Sequence, residues 1–115
     1  MPLCRIETNV TFDEHVKTDL CAKLSQTLAT LTGKSENYVM TLIVDNVAMS
    51  FAGSLEPAAS VECKSIGLAE TQCTQFCSAL CAFIDQEMGV SPDRTYIEFT
   101  DLNRRFFGWN GSTFG

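Results

Sequence analysis

Residues 33–39, GKSENYV, and residues 89–95, GVSPDRT, are two versions of one short pattern: a glycine, one residue, a serine, then polar turn residues. What flanks them decides the fold. Ahead of Gly33, Val16, Leu20, Leu24, Leu28 and Leu31 recur at spacings of four and three, one apolar stripe on a helix, and the glycine supplies its left-handed stop. TFDE, residues 11–14, reads as a capping box with Thr11 at the N-cap and Glu14 three residues on. Ahead of Gly89, Phe76, Cys77, Leu80, Phe83, Ile84 and Met88 form a second stripe. Extended segments flank each helix. PLCRIE (2–7) precedes the first, and YVMTLIV (38–44), a near-continuous apolar run suited to a strand covered on both faces, follows it. SVECKSIG (60–67) precedes the second; TYIEFTDL (95–102) follows, with Ile97 and Phe99 on one face and Tyr96, Glu98 and Thr100 on the other. Two pseudo-symmetric β-α-β repeats predict an α+β fold in a single domain over residues 1–115: a four-stranded mixed sheet with both helices on one face.

Composition narrows the function classes. With 45% hydrophobic and 19% charged residues over 115 positions, the chain has the apolar content to bury a core. A net charge of -6, with Arg104-Arg105 the only basic pair, argues against nucleic acid and anionic membrane as partners. No apolar run approaches the ~20 residues of a membrane span. The N-terminus lacks a basic start followed by an apolar stretch, so the expected location is cytoplasmic. The six cysteines therefore read as reduced thiols rather than a disulfide framework, and no Cys-x-x-Cys occurs. Cys73, Cys77 and Cys81 fall at i, i+4 and i+8 on one face of the second helix, where a buried free cysteine acts as a small hydrophobe.

With both helices on one sheet face, the other is left with Tyr96 and further apolar groups, and oligomerisation would cover them. The tail RRFFGWNGSTFG (104–115) sets Phe106, Phe107, Trp109 and Phe114 among glycines. It is too aromatic to dangle, and packing against a neighbour is favoured over folding back on its own domain.

Pro2 has two readings. A proline is tolerated as the first residue of a strand. Alternatively, trimming of Met1 would leave a free secondary amine, able to act as a base or nucleophile.

The chain resembles the macrophage migration inhibitory factor and D-dopachrome tautomerase family over its whole length. The matching stretches are Met1-Pro2, TNV (8–10), TGK (32–34), Glu56-Pro57, SIG (65–67), SPDR (91–94) followed by Tyr96-Ile97, and GWNGSTF (108–114). The resemblance implies a homotrimer whose sheets surround a central channel, with active sites between subunits. It implies Pro2 as catalytic base, Lys34 and the backbone around Ile66 receiving the substrate's anionic end, and Tyr96 entering from the adjacent subunit. Trp109 and Phe114 match aromatic pocket positions, and Phe107 a rim position. The implied activity is cofactor-independent keto–enol tautomerisation of phenylpyruvate-like or dopachrome-like compounds, with no metal, nucleotide or prosthetic group.

Such chemistry needs a base that is neutral at pH 7 yet reprotonates easily. An α-amine titrates at about 7.7–8.0, and an apolar pocket holding a second cation, Lys34, lowers that value. Lys34 would hold a carboxylate and Tyr96 would hydrogen-bond the developing enolate. Taken alone, Lys34 also reads as a solvated helix-end lysine favoured by the dipole, and Tyr96 as an ordinary strand aromatic.

Glu98 stands where relatives often carry asparagine, and a carboxylate there favours a charged Pro2 and repels an acidic substrate. The thiol-disulfide activity proposed for relatives with Cys-x-x-Cys after Glu56-Pro57 is not supported, because Ala58 and Val61 hold those positions. The alternative to catalysis is cytokine-like signalling, with release by a non-classical route and a cell-surface receptor as partner. Of the charged pair linked to a chemokine-like receptor, Asp45 is retained, while the basic partner falls near Phe12 and is missing.

Overall fold

A computed structural model describes residues 2–115. The elements run β1 (Leu3–Thr8), α1 (Glu14–Thr32), β2 (Met40–Val44), β3 (Ala59–Ile66), α2 (Glu70–Met88), β4 (Thr95–Leu102), β5 (Gly108–Trp109) and β6 (Ser112–Thr113). The main sheet has order β2-β1-β3-β4, with β1 parallel to β2, β3 parallel to β4, and β1 antiparallel to β3. Each parallel pair is the product of one β-α-β unit, and the antiparallel seam joins the halves.

The internal repeat is present at atomic detail. Gly33 and Gly89 end α1 and α2 at φ 67° and 71°. A Cβ at either would meet nothing within 4 Å, so the left-handed backbone, not space, is what calls for glycine. After each glycine comes one turn of 3-10 helix, Glu36–Tyr38 and Pro92–Arg94, with Ser35 and Ser91 at its N-cap. The carbonyl of Ser35 accepts from the Tyr38 amide at 3.2 Å, and that of Ser91 from the Arg94 amide at 3.0 Å.

The core lies between the helices and one sheet face. Cys4, Ile6, Val61 and Cys63 point into it from β1 and β3; Leu20, Leu24 and Leu28 come from α1, and Leu80, Ile84 and Met88 from α2. Burying each large aliphatic group contributes about 1.5–3 kcal/mol. Val16, Leu31 and Cys77, at the margins of the stripes, are half-buried. All six cysteines are free thiols, and only Cys4 and Cys63 are fully buried. Cys73 and Cys81, like Cys77, lie half-buried at the helix margin rather than in the core. Cys4 and Cys63 face each other across β1 and β3. The neighbouring Cys63 thiol, together with burial, pushes the Cys4 thiol well above its ordinary value and keeps it protonated.

Four local expectations change. The residue capping α1 is Asp13, and the Thr11 hydroxyl donates instead to Asn46 Oδ1 at 3.2 Å, because the preceding loop is fastened to the segment after β2. Tyr38 closes a turn rather than opening a strand, and β2 is an edge strand whose Met40 is 61% exposed. The open sheet face is mixed rather than apolar: Arg5, Glu7, Glu62, Lys64 and Glu98 share it with Leu42 and Tyr96, and Arg5–Glu7 (3.2 Å) and Lys64–Glu62 (3.4 Å) are ion-paired. The tail folds back on its own domain as a short β5–β6 hairpin, leaving Phe106 87% exposed.

Candidate active site

Pro2 sits at the open end of β1, fully buried, its carbonyl accepting the Met40 amide at 3.0 Å. Met1, whose removal the catalytic reading requires, lies outside the described residues. A cavity of about 200 Å³ opens beside Pro2, walled by Tyr38, Met40, Phe107, Trp109 and Phe114. Three of those five side chains come from the tail. Phe114 lies between two near-parallel rings, Phe107 at 5.8 Å and Trp109 at 6.3 Å, and its amide donates to the Phe107 carbonyl at 3.1 Å. Tyr38 meets Trp109 edge to face at 5.5 Å. Offset and edge contacts of this kind fix ring orientation.

Lys34 leaves the chain directly after Gly33. Its Nζ donates to Ser65 Oγ at 3.0 Å and to the Ile66 carbonyl, which holds the ammonium at the end of β3 with one of its three donors unused among the described residues. It lines a second, larger cavity of about 570 Å³ with Ser35, Tyr38, Ile66, Arg104 and Phe114. Pro2 and Lys34 thus face adjoining cavities that share Tyr38 and Phe114 as a common wall.

Tyr96 and Glu98 are elsewhere within the chain. Tyr96 is level with Ser60 and, across β3, with Glu7, so it lies at the opposite end of the sheet from Pro2 and two strands over. Strand rise and spacing make that separation roughly 19 Å. Its ring, 72% exposed, packs edge to face on Phe51 at 5.0 Å. Glu98 is level with Glu62 on the open face. A single chain therefore gathers Pro2, Phe107, Trp109 and Phe114, places Lys34 and Ile66 next door, and leaves Tyr96 and Glu98 on an exposed surface.

Tyr38, Met40 and Arg104 were not legible as site residues from sequence. A signal for Tyr38 existed: aligning the two repeats sets it against Arg94, the last residue of the other turn.

The sequence model of the family described as "Macrophage migration inhibitory factor (MIF)" matches residues 1–115. The chain belongs to the macrophage migration inhibitory factor family. It is 37% identical to the macrophage migration inhibitory factor of Meriones unguiculatus over 115 residues, covering 99% of both chains. Among solved structures, the macrophage migration inhibitory factor homologue from Prochlorococcus marinus superposes with a TM-score of 0.93 at 42% identity, covering 98% of this chain and 99% of that one. The macrophage migration inhibitory factor from Trichinella spiralis gives 0.89 at 28% identity, covering 97% and 99%. Membership of the macrophage migration inhibitory factor family supports a tautomerase or cytokine-like function, and homologues support a homo-oligomer in general terms. Among the described residues no helix is long and apolar enough to cross a membrane.

Proposed function

We propose that this member of the family is a cofactor-independent keto–enol tautomerase for phenylpyruvate-like or dopachrome-like substrates, with Pro2 as general base after removal of Met1. The observation that carries this reading is the burial of Pro2 beside an aromatic-walled cavity with a lysine at the adjoining wall. An amine enclosed by apolar groups favours its neutral form, the form able to accept a proton. Lys34 Nζ, with one donor unused, would receive the substrate carboxylate, and the stack of Phe107, Trp109 and Phe114 would receive the ring. Pro2 takes the proton from the enol hydroxyl and returns it to the neighbouring carbon, so no redox partner is required.

The catalytic unit of this reading is a homotrimer. Tyr96 and Glu98 lie too far from their own Pro2 and stand on an exposed strand, where an adjacent subunit could receive them at its site. Tyr96 would then hydrogen-bond the developing enolate. A receptor-binding role through Asp45 has less support, because that carboxylate accepts from the Phe12 amide at 2.9 Å and from Lys17 Nζ at 3.1 Å inside its own chain.

The test is enol-to-keto conversion of hydroxyphenylpyruvate, followed by ultraviolet absorbance, with intact mass establishing the loss of Met1. Pro2→Gly should reduce kcat/KM by the roughly 10²–10⁴-fold that a positioned base supplies. Equal rates for parent and variant would remove Pro2 from the mechanism.

A further inference from the structure

The cation content of the second cavity is not accounted for by a substrate with one carboxylate. The chain has eight lysines and arginines against fourteen acids. Among the described residues, Arg5, Lys17, Lys23 and Lys64 are ion-paired. Arg94 is spent on the carbonyls of Phe51, Ser54, Glu56 and Pro57. Apart from Arg94, the cations with no carboxylate within 4 Å among the described residues are Lys34, Arg104 and Arg105, and two of these line one cavity.

Arg104 opens the single 3-10 turn between β4 and the hairpin. Gly115 lies against its stem, and its guanidinium makes no hydrogen bond among the described residues. The carboxylate that sits near this end of the sheet, Asp101, is committed elsewhere: its Oδ1 accepts the amides of Gly67 at 3.0 Å and Leu68 at 3.2 Å. In a protein with net charge -6, a concave wall holding two cations that form no ion pair among the described residues focuses positive potential and draws in anions. The cavity of about 570 Å³ also exceeds the space beside Pro2, about 200 Å³, and lies within the range of small-molecule sites.

We propose that Arg104 and Lys34 form a two-cation anchor for substrates bearing a second carboxylate, so that the site accepts α-keto dicarboxylic acids; this rests on the tautomerase reading above. One carboxylate meets Lys34 Nζ and the other the guanidinium fork of Arg104, whose two parallel donors match carboxylate geometry. The carbons between the two carboxylates then lie along the wall of Tyr38 and Phe114, which also borders the cavity beside Pro2. The proton path is unchanged, from enol oxygen to Pro2 to the adjacent carbon.

The test compares enol-to-keto conversion of oxaloacetate with that of phenylpyruvate for the parent, Arg104→Ala and Arg104→Lys. The readout is the ratio of the two kcat/KM values. Arg104→Ala should shift that ratio against oxaloacetate by about 10- to 100-fold, chiefly through KM, since a carboxylate contact made alike in the ground and transition states contributes uniform binding. Arg104→Lys should restore part of it. A ratio unchanged by Arg104→Ala overturns the proposal; this includes the case in which both substrates suffer equally because Arg104 serves the fold or pairs with Glu98 of a neighbouring subunit. Should the parent turn over neither substrate, the tautomerase reading fails, and calorimetric titration with succinate and butyrate decides the anchor separately. Succinate binding at least ten times tighter than butyrate, with the preference lost in Arg104→Ala, supports it. Equal binding of the two acids overturns it.

Discussion

Tyr38 meets Trp109 edge to face, ring centroids 5.5 Å apart and planes at 76°, and the contact ties the turn after α1 to the C-terminal hairpin. Both cavities have Tyr38 in their wall. An aromatic pair of this geometry is worth about 0.5–1.5 kcal/mol beyond area burial. Tyr38→Ala should therefore lower stability by about 1 kcal/mol in urea denaturation, and raise KM for an aromatic substrate more than it lowers kcat. Tyr38→Phe keeps the ring and should behave as the parent. A Tyr38→Phe variant as impaired as Tyr38→Ala would show that the hydroxyl, not the ring packing, carries the role.

Much of this arrangement was written locally in the chain. The stripes through Leu20–Leu24–Leu28 and Phe76–Leu80–Ile84 report helix faces because burial repeats with the helical period, and Gly33 and Gly89 report their ends because the left-handed stop excludes most side chains. Strand β4 was legible residue by residue, since its two faces differ in polarity. What failed was context set by sequence-distant partners. Thr11 fits a capping box locally, yet its loop is held by Asn46 and Asp45, over thirty residues away. YVMTLIV reads as a central strand because the apolar run carries no record of which neighbour lies beside it, and within the chain that side is an edge. The grouping of Pro2 with Phe107, Trp109 and Phe114 followed from family resemblance, not from spacing. Arg104 was visible only as half of a basic pair, and nothing local says which arginine turns into a cavity.

Arg94 fastens the segment between β2 and β3. Its guanidinium donates to the carbonyls of Pro57 at 2.8 Å, Glu56 at 3.0 Å, and Phe51 and Ser54 at 3.2 Å, and stacks over the Phe51 ring at 5.3 Å. Phe51 in turn supports Tyr96. A charged hydrogen bond is worth about 1.5–3 kcal/mol, and the four are not independent. Arg94→Ala should cost about 3 kcal/mol by denaturant titration and make the Phe51–Ser54 turn exchange its amides faster. Arg94→Lys cannot reproduce the fork and should recover less than half. Full recovery with lysine would reduce the role to charge alone.

Asp45 gives a pH signature to the same side of the fold. The Phe12 amide and the Lys17 ammonium hold its carboxyl below its ordinary 3.8. A depressed folded-state value adds stability that is present above 3.8 and disappears as pH falls through the depressed value. Asp45→Asn should therefore melt at a lower temperature than the parent at pH 7, and the two should converge as the pH drops to about 2. A gap of constant size across that range would assign the effect to hydrogen-bond geometry rather than ionisation.

Glu98 is level with Glu62 on the open face of β4, an acid beside an acid, with Lys64 the nearer ion-pair partner of Glu62. Adjacent like charges on a sheet are destabilising, so the position is retained at some cost to the isolated chain. If Glu98 enters a neighbour's site, its carboxylate favours the protonated Pro2 amine and raises the pH at which the neutral base appears. Activity then rises later along the pH axis than it would with a neutral residue. Glu98→Asn removes the charge, and the ascending limb of kcat/KM should move to lower pH by about 0.5–1 unit, the scale of one partly screened charge at a site open to solvent. The shift should shrink in 1 M salt, where the screening length falls to about 3 Å. An ascending limb that stays in place, in a variant that still assembles, would mean that Glu98 and Pro2 are not electrostatically coupled.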